Sequence, residues 1–374
     1  MSKSKIWGIV LLVGALIVGV WFYTQNQTDG VSAGSEKQPV ATELKLGAIY
    51  PLTGPAATFG DAFKRGAELA AERANAEGIK VNLVFEDSKT NPKAGIAAYQ
   101  KLRSQDIRLM LTTISAIALA IEPVAREDGV LLFADVAYPG ITKDKPLLFR
   151  HSSTAEQEAR VIFNHLVART PALSTGVMWI NDDYGRAFKE EMERLGRQKM
   201  EFHFAGYEKA ASDLRAETAK LLDANVDTVV VVGYGKAMGL ALRRLREAGF
   251  KGELIANVGL TLTPDAVATA GGAAEGVLYT HIDIDESNPE YQRFATRYKE
   301  KYGTSPPSFA ALSYNSAALL IDAARKSGPE PHAIASVILS RKTHEGAGEN
   351  MVITADGDIL PPVSLKRYEK QQND

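Results

Sequence analysis

The amino-acid sequence predicts an α/β chain of two lobes, each built on its own sheet, and three observations lead there. Strand-like runs at Leu44–Tyr50, Lys80–Glu86, Arg108–Thr112 and Val130–Phe133 alternate with helix-like stretches at Ala62–Ala76, Lys93–Ser104 and Ile117–Glu127. A second series begins with a strand at Thr175–Ile180, continues with helices near Arg186–Leu195 and Ala216–Leu222, and includes the Val-rich run Val226–Val232. A long helical return, Glu290–Lys326, then follows. The chain is therefore expected to cross between lobes near Arg150, Asp283 and Glu345. That divides it into a leader (1–24), a tether (25–43), a first lobe (44–149 with 283–345) and a second (150–282 with 346–374).

In chain order, Lys3 and Lys5 precede Ile6–Tyr23, an uncharged apolar run of 18 residues. Such a run is long enough for a hydrocarbon core of ~30 Å when its ends are anchored. Trp7 at one end and Trp21, Phe22 and Tyr23 at the other suit the two membrane interfaces. The run reads as a retained anchor; a signal peptide is the alternative, because Val31-Ser32-Ala33 resembles a small-residue cleavage site. Either way the basic amino end stays in the cytoplasm and the remainder is exported. Polar Thr24–Thr42, with Gly30, Gly34 and Pro39, reads as a flexible tether.

The most informative stretch is LKLGAIYPLTGPAATFGDAFKRGAE, Leu44–Glu68. A strand breaks at Pro51 into a Gly/Pro loop and restarts as a helix near Asp61. Loops of this kind lie at the carboxyl ends of parallel strands, where open α/β sheets bind ligands, and Thr53, Gly54 and the following helix amino terminus suit a polar ligand. On that helix Phe63, Ala67, Ala70 and Ala74 form one apolar stripe, whose small residues permit close packing on a sheet.

Composition removes several function classes. The chain has 374 residues, 43 Lys+Arg against 45 Asp+Glu, and a formal net charge of -2. It lacks the clustered cations with which proteins neutralise nucleic-acid phosphates. With no cysteine, disulfides, thiolate metal sites, thiol nucleophiles and lipidated cysteines are absent, so the fold rests on its apolar core. The six histidines show no metal-ligand spacing. Gly30-Val-Ser-Ala-Gly34 has the nucleophile-elbow pattern without the strand and helix that chemistry needs. Gly233-Tyr-Gly-Lys-Ala-Met-Gly239 matches a loose dinucleotide fingerprint, yet the next strand ends at Ala256-Asn257 rather than at an acidic residue. It reads instead as a tight turn lining a cleft. No cofactor, metal or catalytic residue is expected, and the chain is expected not to be an enzyme.

Several segments together, PLTGPAATFGDAFKRGAELA, NDDYG (Asn181–Gly185), GYGKAMG (Gly233–Gly239), AGFKGELIANVG from Ala248, AAEGV ending at Val277 and NPEYQRFATRYKEKYGTSPP from Asn288, resemble the leucine/isoleucine/valine-binding branch of the type I periplasmic binding proteins. The resemblance implies two Rossmann-like α/β lobes joined by a hinge, behind an N-terminal hydrophobic helix. It implies an extracytoplasmic receptor that closes over a small metabolite and delivers it to an ABC permease of the inner membrane. A membrane-tethered sensory or regulatory domain is the alternative.

The resemblance also assigns cleft residues. Ser115 matches the serine that holds the ligand carboxylate, a place that also suits a helix N-cap. Asp135, Val136 and Ala137 form the next cleft loop. Tyr184 and Tyr234 match side chains that close over the ligand from the second lobe, and Phe59 and Phe309 match aromatic wall positions. Three departures bear on the ligand. Where the branch holds the ligand ammonium with a threonine and a glutamate, this chain has Ala137 and Val258, and Phe59 stands where tyrosine is usual. The ligand is therefore expected to be a carboxylate with an apolar or aromatic body and no free α-amino group, or amino-acid-like if Asp135 turns its carboxylate into the cleft.

Overall fold

The computed structural model describes residues 43–370, apart from 55, 139, 170–173, 198 and 263. The expected anchor at 6–23, the tether before Glu43 and the candidate cleavage site lie outside the described residues. Among the described residues no helix is long and apolar enough to cross a membrane.

Two sheets organise the chain. The first has the order β2 (Lys80–Asp87), β1 (Glu43–Tyr50), β3 (Leu109–Thr113), β4 (Leu131–Asp135), β5 (Leu148–His151), β13 (Asp358–Ile359), with every pairing parallel. The second runs β7 (Phe202–Tyr207), β6 (Thr175–Ile180), β8 (Thr228–Val232), β9 (Glu253–Ala256), β10 (Leu278–Ile282), β14 (Val363–Arg367), and only the β10–β14 pair is antiparallel. Both orders reverse direction once, between β1 and β3 and between β6 and β8. A crevice opens at such a switch point because the flanking loops leave toward opposite faces of the sheet.

Helices cover both faces. The first, α1 (Ala57–Ala76), carries the expected buried stripe of Phe63, Ala67, Ala70 and Ala74. It is followed by α2 (Pro92–Arg103), α3 (Ser115–Glu127), α4 (Ala155–Arg169), α5 (Asp183–Gly196), α6 (Arg215–Asp223), α7 (Gly235–Glu247), the short α8 (Gly259–Leu262) and α9 (Pro264–Ala270). The expected helical return is two helices, α10 (Pro289–Tyr302) and α11 (Ser308–Ser327), before α12 (Pro331–Ser340). The break follows from Gly303 in the left-handed region (φ 77°) and from Pro306-Pro307, which cannot continue a helix. α1 and α11 approach very closely at Gly66, where a Cβ would stand 2.1 Å from the Ala310 carbonyl oxygen. Arg73 of α1 fixes the pair through Asp322 of α11 at 3.1 Å.

The chain passes from one sheet to the other three times. The first two crossings follow β5 and β10, close to the expected Arg150 and Asp283. The third lies between β13 and β14, at 360–362, rather than near Glu345. The residues from Gly346 to Ile359 stay with the first sheet because the hairpin β11 (Thr343–Gly346) and β12 (Glu349–Val352) turns the chain back to pair β13 with β5. The crossings are bonded to one another. Gln157 Nε2 donates to the Pro361 carbonyl (2.6 Å), and the Asp283 amide donates to the Pro362 carbonyl (2.9 Å).

A polar chain is buried beside these crossings. Ser316 of α11 donates to Asp135 Oδ1 (2.6 Å), His151 Nδ1 lies 3.0 Å from Ser316 Oγ, and His151 Nε2 stands 2.9 Å from Glu349 Oε1. Asn315 donates to the same Glu349 oxygen at 2.6 Å. The order of groups is that of a nucleophile, a base and an acid, but Ser316 and His151 are 0% exposed and the Ser316 proton is committed to Asp135. The arrangement is a buried structural relay.

Burial pushes the Asp135 carboxyl up to about 7, against a smaller opposing pull from His151. Burial alone would lower His151; the Glu349 carboxylate overrides it and raises the imidazole above its usual 6.5. Both shifts act in one direction. A folded aspartic acid that keeps its proton to about pH 7 binds more protons than the unfolded chain, which releases it near 3.8, so stability falls as pH rises through that window. Stability from the His151 pairing is full below about 6.5 and is lost as pH rises through the higher folded value. The melting temperature should therefore decline between pH 5 and pH 8, and Asp135→Asn should flatten the decline and gain on the order of 2 kcal/mol at pH 8. Thermal melts of both proteins across that range check this; an unchanged slope in the variant would place the titration elsewhere.

Candidate ligand-binding cleft

The segments that leave the two switch points carry four of the nine expected site residues, Phe59, Ser115, Tyr184 and Tyr234. After β1, Leu52 and Thr53 turn back on the chain because Asp87 accepts both their amides and the Thr53 hydroxyl. These bonds hold the Asp87 carboxyl below its ordinary range even though burial opposes it. After β3, the turn into α3 is made by Ile114 at φ 67°, ψ 114°. A β-branched residue in that region is strained by roughly 1–3 kcal/mol. The consequence is positional: Ile114, not Ser115, is the N-cap, and Ser115 becomes the first helical residue, beside the unpaired amides that a helix amino terminus offers an anion.

In the second sheet the corresponding loops deliver two tyrosines. Tyr184 opens α5 after β6, and Tyr234 precedes α7 after β8. The Tyr234 hydroxyl donates to Asp182 Oδ2 at 2.8 Å, while Asp182 Oδ1 caps α5 through the Gly185 amide. Asn257 bridges the two loops, donating to the Tyr184 hydroxyl (3.1 Å) and accepting from the Gly233 amide (2.9 Å). Gly233 has a steric reason as well: a Cβ there would lie 2.0 Å from the Tyr207 hydroxyl oxygen. The glycine-rich run is thus a close-packed turn.

Glu158, on the first turn of α4, is the residue that sequence reasoning passed over. It is 0% exposed. Its Oε2 accepts from the Val258 amide (2.9 Å) and from Thr280 Oγ1 (2.5 Å), and its Oε1 accepts from Ser153 (3.1 Å). Burial raises its carboxyl, and these donors, with Tyr184, pull it back in part. A signal was present in Thr154-x-x-Gln157, a capping-box pattern whose Thr154 hydroxyl accepts the Gln157 amide at 3.0 Å. That pattern fixes the helix start and places Glu158 in the first turn, where a carboxylate is favoured.

The aromatic wall comes from the first lobe. Phe59 and Phe309 meet edge to face with centroids 5.0 Å apart, and Phe59 meets Phe63 at 4.6 Å. Phe309 and Val258 line one cavity of about 190 Å³, together with Thr261, Tyr279, His281, Ile282, Pro307 and Ser308. Ala137 is half-buried in the loop after β4. Val136 is buried, and its carbonyl accepts from Arg150 at 3.3 Å. Asp135 is 3% exposed and its carboxylate turns to Ser316 on α11, with Oδ2 enclosed and unpartnered.

Comparison with known proteins agrees with this architecture. The family model described as periplasmic binding protein matches residues 43–371. A Leu/Ile/Val-binding protein homolog 3 from Brucella melitensis is 27% identical over 333 residues, covering 86% of this chain and 89% of the relative. Among solved structures, a leucine-binding protein from Thermotoga maritima superposes with a TM-score of 0.78 at 24% identity, covering 87% of this chain and 98% of that one. A solute-binding protein of an ABC transporter from R. palustris, in complex with benzoate, superposes with a TM-score of 0.76 at 19% identity, covering 88% and 94%. The match over residues 43–371, on two doubly wound α/β lobes joined by three crossings, means that the chain belongs to the periplasmic binding protein family.

Proposed function

We propose that the protein is an exported solute receptor whose lobes close over a small carboxylate with an apolar or aromatic body and no free α-amino group, which it hands to an ABC permease. In this reading the lobes work in the periplasm and residues 6–23 hold them to the inner membrane. Binding uses closure alone, without turnover of the ligand.

The observation that carries the ligand class is the commitment of the carboxylates around the cleft. Asp87 is taken by the Thr53 loop, Asp135 by Ser316, Asp182 by Tyr234 and the α5 cap, and Glu158 by Val258, Thr280 and Ser153. A buried ammonium at Ala137 and Val258 would lack a counter-charge, at a cost of several kcal/mol. A ligand carboxylate fits Ser115 and the α3 amino terminus, and an apolar body fits Phe59 and Phe309. Ring faces at Tyr184 and Tyr234 remain for packing because their hydroxyls are already engaged. The Brucella relative is named for amino acids and the R. palustris protein holds an acid without an amino group, so the informative probes are matched pairs of the two kinds.

Thermal shifts of the purified protein with leucine, isoleucine and phenylalanine against 4-methylpentanoate, 3-methylpentanoate and 3-phenylpropanoate should show stabilisation by the acids alone, by ~2.7 kcal/mol at 100 times the dissociation constant. Stabilisation by the amino acids alone would overturn the ligand class. The substitution Val258→Glu should reverse the preference, with amino acids gaining at least about tenfold in affinity over their matched acids, since a carboxylate then faces the cavity. Titration calorimetry of the variant decides this, and unchanged selectivity counts against the reading.

A further inference from the structure

We infer that the cavity lined by Val258 and Phe309 is a compartment of the cleft in which Thr261, Tyr279, His281 and Ser308 hold an uncharged oxygen-bearing group, a hydroxyl or a carbonyl, at the far end of the ligand. This rests on the cleft reading above and adds to it a specificity that the expected site residues do not supply.

Placement is the first support. Thr261 sits on α8, three residues after Val258; Tyr279 and His281 alternate on β10, so they project from one face of the strand. Their rings meet edge to face at 6.0 Å. Ser308 opens α11 from the opposite lobe, next to Phe309. All four line the same cavity of about 190 Å³ as Val258 and Phe309.

The second support is a contrast in hydrogen bonding. Thr280, between Tyr279 and His281, points to the other face, is 0% exposed and is bonded to Glu158. The hydroxyls of Tyr184 and Tyr234 are likewise engaged. The Thr261, Tyr279 and Ser308 hydroxyls and the His281 ring nitrogens, by contrast, make no side-chain hydrogen bond to any of the described residues. Four half-buried or exposed polar residues that line one cavity, none with a side-chain hydrogen bond among the described residues, are suited to a ligand group.

Charge narrows the class. Burial, and then Lys366, which pairs across from Tyr279 on β14, hold His281 below its ordinary 6.5, while Asp283 and Glu286 act the other way. Asp283 is itself bonded to Ser364 at 2.7 Å. A neutral imidazole offers one donor and one acceptor, and hydroxyls offer both. Among the described residues no Lys, Arg, Asp or Glu lines the cavity, so a hydroxyl or carbonyl is matched there and a charged tail is not.

Titration calorimetry of the full chain with two pairs of acids, benzoate with 4-hydroxybenzoate and hexanoate with 6-hydroxyhexanoate, tests this. The hydroxylated member of at least one pair should bind about tenfold tighter. That ratio should fall toward one in His281→Phe and in Thr261→Val, the second of which keeps side-chain shape and removes only the hydroxyl. Equal affinities within both pairs overturn the compartment while leaving the cleft reading intact, as does a preference that survives both substitutions. If none of the four acids binds, the carboxylate reading itself fails and the compartment falls with it.

Discussion

One buried carboxylate holds the second lobe's side of the cleft together. Glu158 joins three parts of the chain: its own segment, where the first crossing enters α4 and Ser153 donates to it, β10 through Thr280 and the loop after β9 through the Val258 amide. Charge-assisted hydrogen bonds of this kind are roughly twice as strong as neutral ones, and a buried carboxylate left short of donors would carry a large desolvation penalty. The cleft wall is therefore fixed wherever Glu158 is satisfied. Asn257 extends the same lattice to Tyr184 and Gly233, so both switch-point loops of the second sheet share it.

The first lobe solves the same problem with backbone strain and loop anchoring. Ile114 adopts its unfavourable conformation because both sides are pinned: Thr113 Oγ1 donates to the Asp135 carbonyl at 2.8 Å, and the Ile117 and Ala118 amides return to the Ile114 carbonyl at 3.0 Å. The strain redirects the chain so that α3 begins at Ser115. Asp87 plays the matching part for the β1 loop. Each lobe thus presents a preformed rim, and lobe movement about three bonded crossings is left as the variable.

Much of this was legible in the sequence because it is local. Strand, loop and helix in Leu44–Glu68, and again around NDDYG and GYGKAMG, follow from periodicity and punctuation, and those elements form where expected. Asp135 shows what a motif comparison leaves out. Leu131 and Phe133 belong to the core facing α1 and α11, and the two-residue period of a strand puts Asp135 on that same face. Parity alone therefore directed its carboxylate toward Ser316. Glu158 and the late crossing at 360–362 were hidden for a different reason. Each depends on contacts across some 100 to 200 positions, Glu158 with Val258 and β13 with β5, and no local pattern encodes such pairings.

The distribution of satisfied and free polar groups gives the cleft a division of labour. Groups whose bonds close within the protein, namely Asp87, Glu158, Asp182, Tyr184, Tyr234 and Asn257, cannot reorganise for a ligand without breaking a bond, so they set shape. Preformed shape lowers the ordering cost that binding would otherwise carry. In the proposed compartment, groups with open valences would set chemistry, because a ligand atom that completes them gains a hydrogen bond and one that cannot leaves them desolvated and unpaired. On β10 the two kinds alternate residue by residue, with Thr280 turned in to Glu158 and Tyr279 and His281 turned out to the cavity. The strand that leads into the second crossing is therefore both a strut of the lobe and a wall of the cavity, and in the proposed reading a ligand bound against it would bear directly on the segment where the lobes hinge.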